Sequence, residues 1–191
     1  CVCMCACVSS MRLETVQGKL KMWVDILSPS LAKTMPMWDI APPPKEEFEI
    51  VVITTRGRGD PVSRAIETAA DTLLYLPDSF FDAQRAIGEL KLDLLFFADI
   101  GMDVRTYFLA FARMASVQCV TWGHPDTTGI PNMDYFLSGE QIEPQDGAKH
   151  YSEELYRLPA PPTYYPFPEI PDGLKVRADF TISQTRTFYL C

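Results

Sequence analysis

The chain has 191 residues, which is enough for one sizeable core or for one domain with part of a second. Hydrophobic residues make up 47% of the sequence and charged residues 22%, proportions that are ordinary for a soluble globular protein. The 17 basic and 25 acidic side chains give a formal charge of -8, which repels phosphate backbones and disfavours nucleic-acid binding. No apolar run approaches the roughly 18 residues that a membrane-spanning helix needs, so a membrane partner is not expected.

The first 47 residues show little periodicity. Four of the six cysteines lie in the segment Cys1–Cys7. Alternate cysteines can chelate a soft metal, but a closed zinc site usually adds a distant second pair, which this sequence lacks, so we predict no metal site. The run has no basic region ahead of it, and a fragment boundary or a misread start explains it better than a signal peptide. Prolines interrupt the rest, and one helix is predicted near Gly18 to Leu27.

From Phe48 onward, apolar runs of strand length alternate with helical patterns. The predicted strands are 48–54, 72–76, 93–98, 117–122 and 134–138. The predicted helices are one with an apolar face from Val62 to Leu73, one capped by Asp82, and one from about Val104 whose inner face carries Tyr107, Phe108, Phe111 and Ala115. Strands that are apolar on both faces and separated by single helices predict an α/β fold with a doubly wound parallel sheet.

A loop from Gly123 to Pro131 interrupts the core between the last two predicted strands. In an open parallel sheet, ligands gather beyond the carboxyl ends of the strands, and this loop leaves a strand at such an end. Gly123 lets backbone approach a ligand closely, Thr127 and Thr128 offer hydroxyls, and the prolines limit the entropy lost on binding. The same composition also makes an ordinary turn. Spacing alone leaves both interpretations open.

Single side chains near this loop allow a functional and a structural reading. His124 is a candidate general base or a hydrogen-bonded loop residue, and His150 lines a surface helix. Trp122 would stack on a ring or belong to the core. Asp99 and Asp103 would position a hydroxyl or simply end a strand. The sequence contains no dinucleotide-binding, P-loop or nucleophile-elbow motif.

Four segments, taken in order, resemble the catalytic region of the O-linked N-acetylglucosamine transferases and their Spindly-like relatives. They are residues 92–103 (LDLLFFADIGMD), 106–115 (TYFLAFARMA), 117–136 (VQCVTWGHPDTTGIPNMDYF) and 150–159 (HYSEELYRLP). The resemblance covers roughly residues 45 to 191, and the ordered combination is far more specific than any one piece.

The resemblance implies a GT-B architecture, in which two Rossmann-like domains face each other across a cleft. The expected divisions are a poorly matched segment (1–44), the Rossmann-like first domain (45–158), a proline-rich connector (159–173) and a truncated start of the second, nucleotide-binding domain (174–191), with a strand opening at Thr187 to Cys191. Tetratricopeptide repeats usually precede such a region.

The implied activity is transfer of N-acetylglucosamine from UDP-GlcNAc to serine or threonine of intracellular proteins, in cytoplasm or nucleus, without a metal or other cofactor. Some Spindly-like members use GDP-fucose. The family's sugar contacts would fall on Trp122 and Gly123. The same rim would be shaped by His124, Pro125, Thr127, Thr128 and Gly129.

Two departures from the family pattern limit what the resemblance implies. The family's histidine after the first strand has no counterpart near residues 26–31, so no catalytic residue is assigned. The family's nucleotide-holding groups match no position of this chain, and the chain alone is therefore expected to be inactive. The alternative is a noncatalytic remnant that binds protein or carbohydrate through the cleft face.

Overall fold

The computed structural model describes residues 20–25, 48–54, 61–98, 100–101, 103–159, 173, 175–183, 185 and 187, and of residues 20–25, 61, 62 and 65 only the backbone. These residues form one seven-stranded sheet, with strands β1 (Leu20–Asp25), β2 (Phe48–Thr54), β3 (Thr72–Tyr75), β4 (Leu92–Phe97), β5 (Ala115–Thr121), β6 (Tyr135–Gly139) and β7 (Glu154–Leu158). The helices are α1 (Pro61–Ala69), α2 (Phe80–Glu89), α3 (Val104–Leu109) and two short 3-10 helices, η1 (Gly147–His150) and η2 (Arg177–Phe180).

All neighbouring strands of the sheet are parallel, in the order β3-β2-β1-β4-β5-β6-β7. The chain moves outward from β1 to β3, and β4 then pairs with the other side of β1. The strand order therefore reverses between β1 and β4, and such a reversal leaves a crevice beyond the carboxyl ends of the strands. The prediction of a doubly wound, Rossmann-like α/β sheet is confirmed.

The central strands are buried on both faces. On one face a single apolar cluster joins the strands to α2, α3 and the segment between β5 and β6; its members include Val51, Ile53, Ala83, Ile87, Leu95, Phe97, Leu109, Val120, Ile130, Met133 and Phe136. Alternate strand positions, among them Ile50, Val52, Leu94, Phe96 and Cys119, are buried as well. Two-sided burial is what excludes water from a parallel sheet and explains the continuous apolar runs in the sequence.

The prediction for Gly18 to Leu27 was wrong, because this region contains β1 rather than a helix. β1 pairs with β2 over six residues and with β4 over three, so tertiary hydrogen bonding decides its conformation. β7 was not predicted. Its sequence, ELYRL, carries charges at two of five positions, and it lies at the edge of the sheet, where one side needs no partner strand.

The helices were predicted in the right places but with three errors of detail. α1 ends at Ala69, so Leu73, which was expected on its apolar face, lies in β3 instead. Ser79, rather than Asp82, is the N-cap of α2, and its side chain accepts a hydrogen bond from the Asp82 amide. α3 ends at Leu109, and the expected inner face is right only in part. Tyr107 packs against the apolar cluster, whereas Phe108 and Phe111 are 54% and 44% exposed and Ala115 begins β5. The buried residues are instead Thr106, within α3, and Leu109 at its end.

Several predictions fall outside the described residues, including the Cys1–Cys7 run, nearly all of the proline-rich connector and residues 188–191. The domain boundaries remain predictions, although β1 brings part of the 1–44 segment into the sheet. None of the helices in the described part of the chain has the length and apolarity needed to span a bilayer.

Candidate functional site

The candidate site lies at the carboxyl edge of the sheet, where the chain leaves β4 and β5. Gly101 follows β4 and has a φ of 115°, a conformation that side chains rarely adopt. A Cβ atom at this position would lie 3.1 Å from Cγ and Cδ2 of His124, which follows β5. The imidazole ring therefore lies directly on the Gly101 backbone. This contact joins the segments after two adjacent strands, next to the point where the strand order reverses.

His124 is partly exposed, with 35% of its side chain accessible. Its Nδ1 atom lies 4.0 Å from Oδ2 of Asp126, whose side chain is 81% exposed. That separation is too long for a direct hydrogen bond. The structure therefore keeps His124 available at the edge while holding its ring by packing on Gly101.

Trp122 packs its ring partly into the apolar cluster beneath the edge. Its indole Nε1 atom is buried and has no hydrogen-bond partner among the described residues. This arrangement agrees with the core reading of the tryptophan, and the neighbouring Gly123 is exposed. Any contact that this bend makes with a ligand would therefore come from the exposed backbone or from an acceptor that reaches the indole N–H.

Thr127 and Thr128 are held by a carboxylate from another part of the chain. The Thr127 hydroxyl donates to Oε2 of Glu153 over 2.7 Å and accepts from the Ser152 amide over 3.0 Å. The Thr128 amide donates to Oε1 of Glu153 over 2.8 Å, and the Thr128 hydroxyl donates to the same oxygen. Glu153 immediately precedes β7, so these two threonines lie towards the amino end of that strand.

Glu153 is ionised in this environment although it is only 6% exposed. Burial alone raises its pKa, but the hydrogen bonds from Thr128 and Thr127 outweigh burial, and the pKa lies below the usual value for a glutamate. Glu153 was not identified from the sequence. The two adjacent threonines were the available signal, because hydroxyls in a loop need an acceptor when the loop packs down.

The rest of the loop replaces the helix that usually connects parallel strands. Because β5 and β6 are parallel, the chain must return by roughly 17 Å, the length of five strand residues, to begin β6. Ile130 and Met133 fill the apolar cluster on the way, at 2% and 5% exposure. Gly129 makes the turn into this segment with a φ of 66°.

The predicted site residues thus divide into two groups. Trp122, Gly123 and His124 stand at the carboxyl edge. Thr127 and Thr128 contact Ser152 and Glu153 before β7. We call residues Gly123–Gly129 the rim loop; Pro125 is exposed within it.

Other residues singled out in the sequence have structural contacts. Asp103 caps α3, and its Oδ2 atom accepts from the amide and the hydroxyl of Thr106. His150 is exposed at the end of η1, which agrees with a surface position. Asp99 lies outside the described residues. Among the described residues, no group of three histidine, cysteine or acidic side chains is arranged to hold a metal ion.

The arginines on the described segments after β4 and β5 are engaged in structural contacts. Arg105 and Arg113 are the basic residues between positions 98 and 134. Arg105 donates to the carbonyl oxygen of Pro77, which follows β3, and Arg113 pairs with the carboxylate of Asp134. An anionic ligand held between these two segments would need positive groups from other parts of the protein.

The chain is similar in sequence to plant proteins of one kind. A segment of 48 residues is 46% identical to a protein of Oryza sativa subsp. japonica named probable UDP-N-acetylglucosamine–peptide N-acetylglucosaminyltransferase SPINDLY. The protein of that name from Arabidopsis thaliana is 48% identical over 48 residues. The predicted family resemblance is confirmed. Each match covers 25% of this chain and about 5% of the relative's length. No family model matches the chain.

The fold is similar to that of a solved glycosyltransferase. A mutant of the Thermobaculum terrenum O-GlcNAc transferase superposes with a TM-score of 0.66, over 76% of this chain and 29% of that one. The sequence identity is 20%, so this similarity concerns the fold. The family resemblance therefore rests on the Spindly-like segment, and the solved structure supports the Rossmann-like fold.

Proposed function

We propose that the chain is part of the catalytic region of a protein O-glycosyltransferase, which transfers N-acetylglucosamine from UDP-GlcNAc to serine and threonine hydroxyls of proteins. The observation that carries this proposal is the sequence similarity to the plant SPINDLY proteins. The fold and the exposed bend after β5 support it, because a cleft beyond the carboxyl ends of parallel strands suits a nucleotide sugar. Intracellular action, in cytoplasm or nucleus, is part of the same proposal.

In this proposal the Trp122–Gly123 bend contacts the donor sugar, and His124, Pro125, Thr127, Thr128 and Gly129 shape the rim around it. The acceptor hydroxyl attacks the anomeric carbon, the bond from that carbon to the diphosphate oxygen breaks, and UDP leaves with that oxygen, while the hydroxyl proton passes to solvent. We assign no general base to this chain. In this proposal the bend and the rim loop hold the sugar in position for attack and exclude water from it.

Departure of UDP needs positive groups aimed at the phosphates, a contribution often worth several kcal/mol of barrier. Arg105 and Arg113 are engaged in structural contacts, and the chain carries a formal charge of -8. We therefore expect the 191-residue chain by itself not to bind UDP with micromolar affinity. Isothermal titration calorimetry with UDP tests this, and a micromolar dissociation constant would show that the phosphate site lies within the chain.

The transfer reaction is tested with the natural gene product that carries this chain. That protein is incubated with a serine- and threonine-containing peptide and either UDP-GlcNAc or GDP-fucose, and the peptide mass is measured. We expect a mass increase of one N-acetylhexosamine with UDP-GlcNAc only. Modification only with GDP-fucose would change the donor in the proposal, and no modification with either would favour a noncatalytic role.

A further inference from the structure

Glu153 is a buried carboxylate whose hydrogen bonds cross 25 residues of sequence to reach the rim loop. Each of its two oxygens accepts hydrogen bonds from a different threonine. Oε2 accepts from the Thr127 hydroxyl at 2.7 Å, and Oε1 accepts from the Thr128 amide at 2.8 Å and from the Thr128 hydroxyl. Burial at 6% exposure removes competing water from these bonds. Three donors on one carboxylate fix both the backbone and the side chains of the two threonines.

The opposite end of the rim loop is fixed by packing. The His124 ring lies on Gly101, where a Cβ atom would approach it to 3.1 Å. Between His124 and Thr127 there are two residues, Pro125 and Asp126. A span of this length reaches at most about 10 Å, and the proline ring fixes one of its backbone dihedrals. Few free backbone dihedrals lie between the two residues, so we expect a displacement of Thr127 to change the position of His124.

We propose that Glu153 is a positioning residue for the site: by holding Thr127 and Thr128, it sets where Gly123 and His124 stand at the carboxyl edge. The inference rests on the proposed function, in which that edge contacts the donor sugar. Glu153 itself touches neither the edge nor any reacting atom. It acts through the rim loop.

A purely structural role for Glu153 would be confined to the amino end of β7. In that case its removal would lower stability and loosen Thr127 and Thr128 without moving His124. The position of His124 therefore distinguishes the two roles. The chain has two histidines. His150 is exposed at the end of η1, three residues before Glu153, so its signal reports local change around the substituted residue.

The experiment is a histidine NMR measurement on the 191-residue chain, in which the imidazole Cε1–H signals are assigned with the variant His150→Gln. In Glu153→Gln we expect the His124 signal to shift, in addition to any local shift of the His150 signal. Hydrogen exchange at the Thr128 amide should accelerate roughly tenfold, since it loses its charged acceptor. Glu140→Gln, at an exposed position after β6, is the matched control. It should change neither the His124 signal nor the exchange rate of the Thr128 amide.

A second pair of variants keeps the test valid if Glu153→Gln does not fold. Thr128→Val removes the hydroxyl at nearly constant volume, and Thr128→Ser retains it. We expect the valine variant to shift the His124 signal and the serine variant to keep it near that of the parent. An unmoved His124 signal in Glu153→Gln, or in Thr128→Val, would overturn the proposal. The NMR signals do not depend on transfer activity. A negative transfer assay would therefore leave the NMR result unchanged, and the two proposals can fail separately.

Discussion

Glu153 makes the stability of the fold depend on pH, because three donors stabilise its ionised form. Its pKa in the folded chain lies below the ordinary 4.5. The contribution of Glu153 is therefore complete above about pH 4.5 and is lost as the pH falls through the lower, folded-state pKa. Acid should weaken the loop contacts before it affects the apolar core.

Replacing Glu153 by glutamine should reduce the free energy of unfolding at pH 7 by roughly 1.5–3 kcal/mol, the cost expected for losing hydrogen bonds to a charged group. The difference from the parent should shrink as the pH approaches 3, since protonation removes the same interaction. Urea unfolding at several pH values measures this. Glu140→Gln should behave like the parent, and an equal loss for Glu153→Gln at pH 3 and pH 7 would contradict the assignment.

Gly101 and Gly88 should respond oppositely to alanine. Gly101 has a φ of 115° and lies against the His124 ring, so Gly101→Ala should destabilise the fold by about 1–3 kcal/mol. Gly88 lies in α2 with open space where a Cβ atom would stand, so Gly88→Ala should stabilise it by about 0.5–1 kcal/mol. Thermal unfolding of both variants measures the signs, and a harmless Gly101→Ala would mean that the ring does not rest on this glycine.

At the scale of secondary structure, a buried glutamine holds the end of the segment between β5 and β6. Gln118 is fully buried; its Oε1 accepts from the Met114 amide at 2.8 Å, and its Nε2 donates to the Asn132 carbonyl at 2.9 Å. The Gln118 amide also donates to Oδ2 of Asp134 at 2.8 Å. These bonds tie the start of β5 to the end of the loop that leads into β6.

Gln118→Leu should destabilise the fold by about 2–4 kcal/mol, because two buried backbone groups lose their partners while the apolar volume is nearly kept. Chemical unfolding measures the change. Ser116→Ala, two positions earlier at an exposed site of β5, should lie within about 0.5 kcal/mol of the parent. A loss below about 1 kcal/mol in Gln118→Leu would show that water or other groups satisfy the freed partners.

The sequence predicted the strands whose residues are buried on both faces, since their apolar runs are continuous and bounded by turns. It did not predict β1 or β7. β1 carries charged residues at its second and last positions, and its conformation depends on pairing with β2 and β4, which are distant in sequence. β7 is an edge strand with charged residues, and local periodicity gives it no distinct signal.

The site was predictable only in part, for a similar reason. A glycine after a strand at the carboxyl edge follows from local pattern and from parallel topology. The contact between Gly101 and His124, and the bonds from Thr127 and Thr128 to Glu153, join segments more than twenty residues apart. No local period encodes such pairs. The resemblance to the transferase family placed the loop in a cleft, but it did not identify what holds the loop.

At the scale of the whole molecule, we propose that this sheet forms one wall of an active site. The Rossmann-like sheet presents the bend after β5 at its carboxyl edge, beside the reversal of strand order, and the rim loop is tied back to the sheet by Glu153. Arg105 and Arg113, the arginines closest in sequence to the bend, make structural contacts. The diphosphate of a nucleotide sugar would thus be bound by groups other than those around the bend.

The most direct test of this account is the transfer rate of the natural gene product after Gly123→Trp. Gly123 is exposed at the bend, so a tryptophan there should fill the space for the sugar while leaving the melting temperature unchanged. We predict at least a hundredfold loss of transfer from UDP-GlcNAc, with Glu140→Gln as an active control. Unchanged turnover in a normally folded Gly123→Trp variant would contradict the claim that this bend faces the donor sugar.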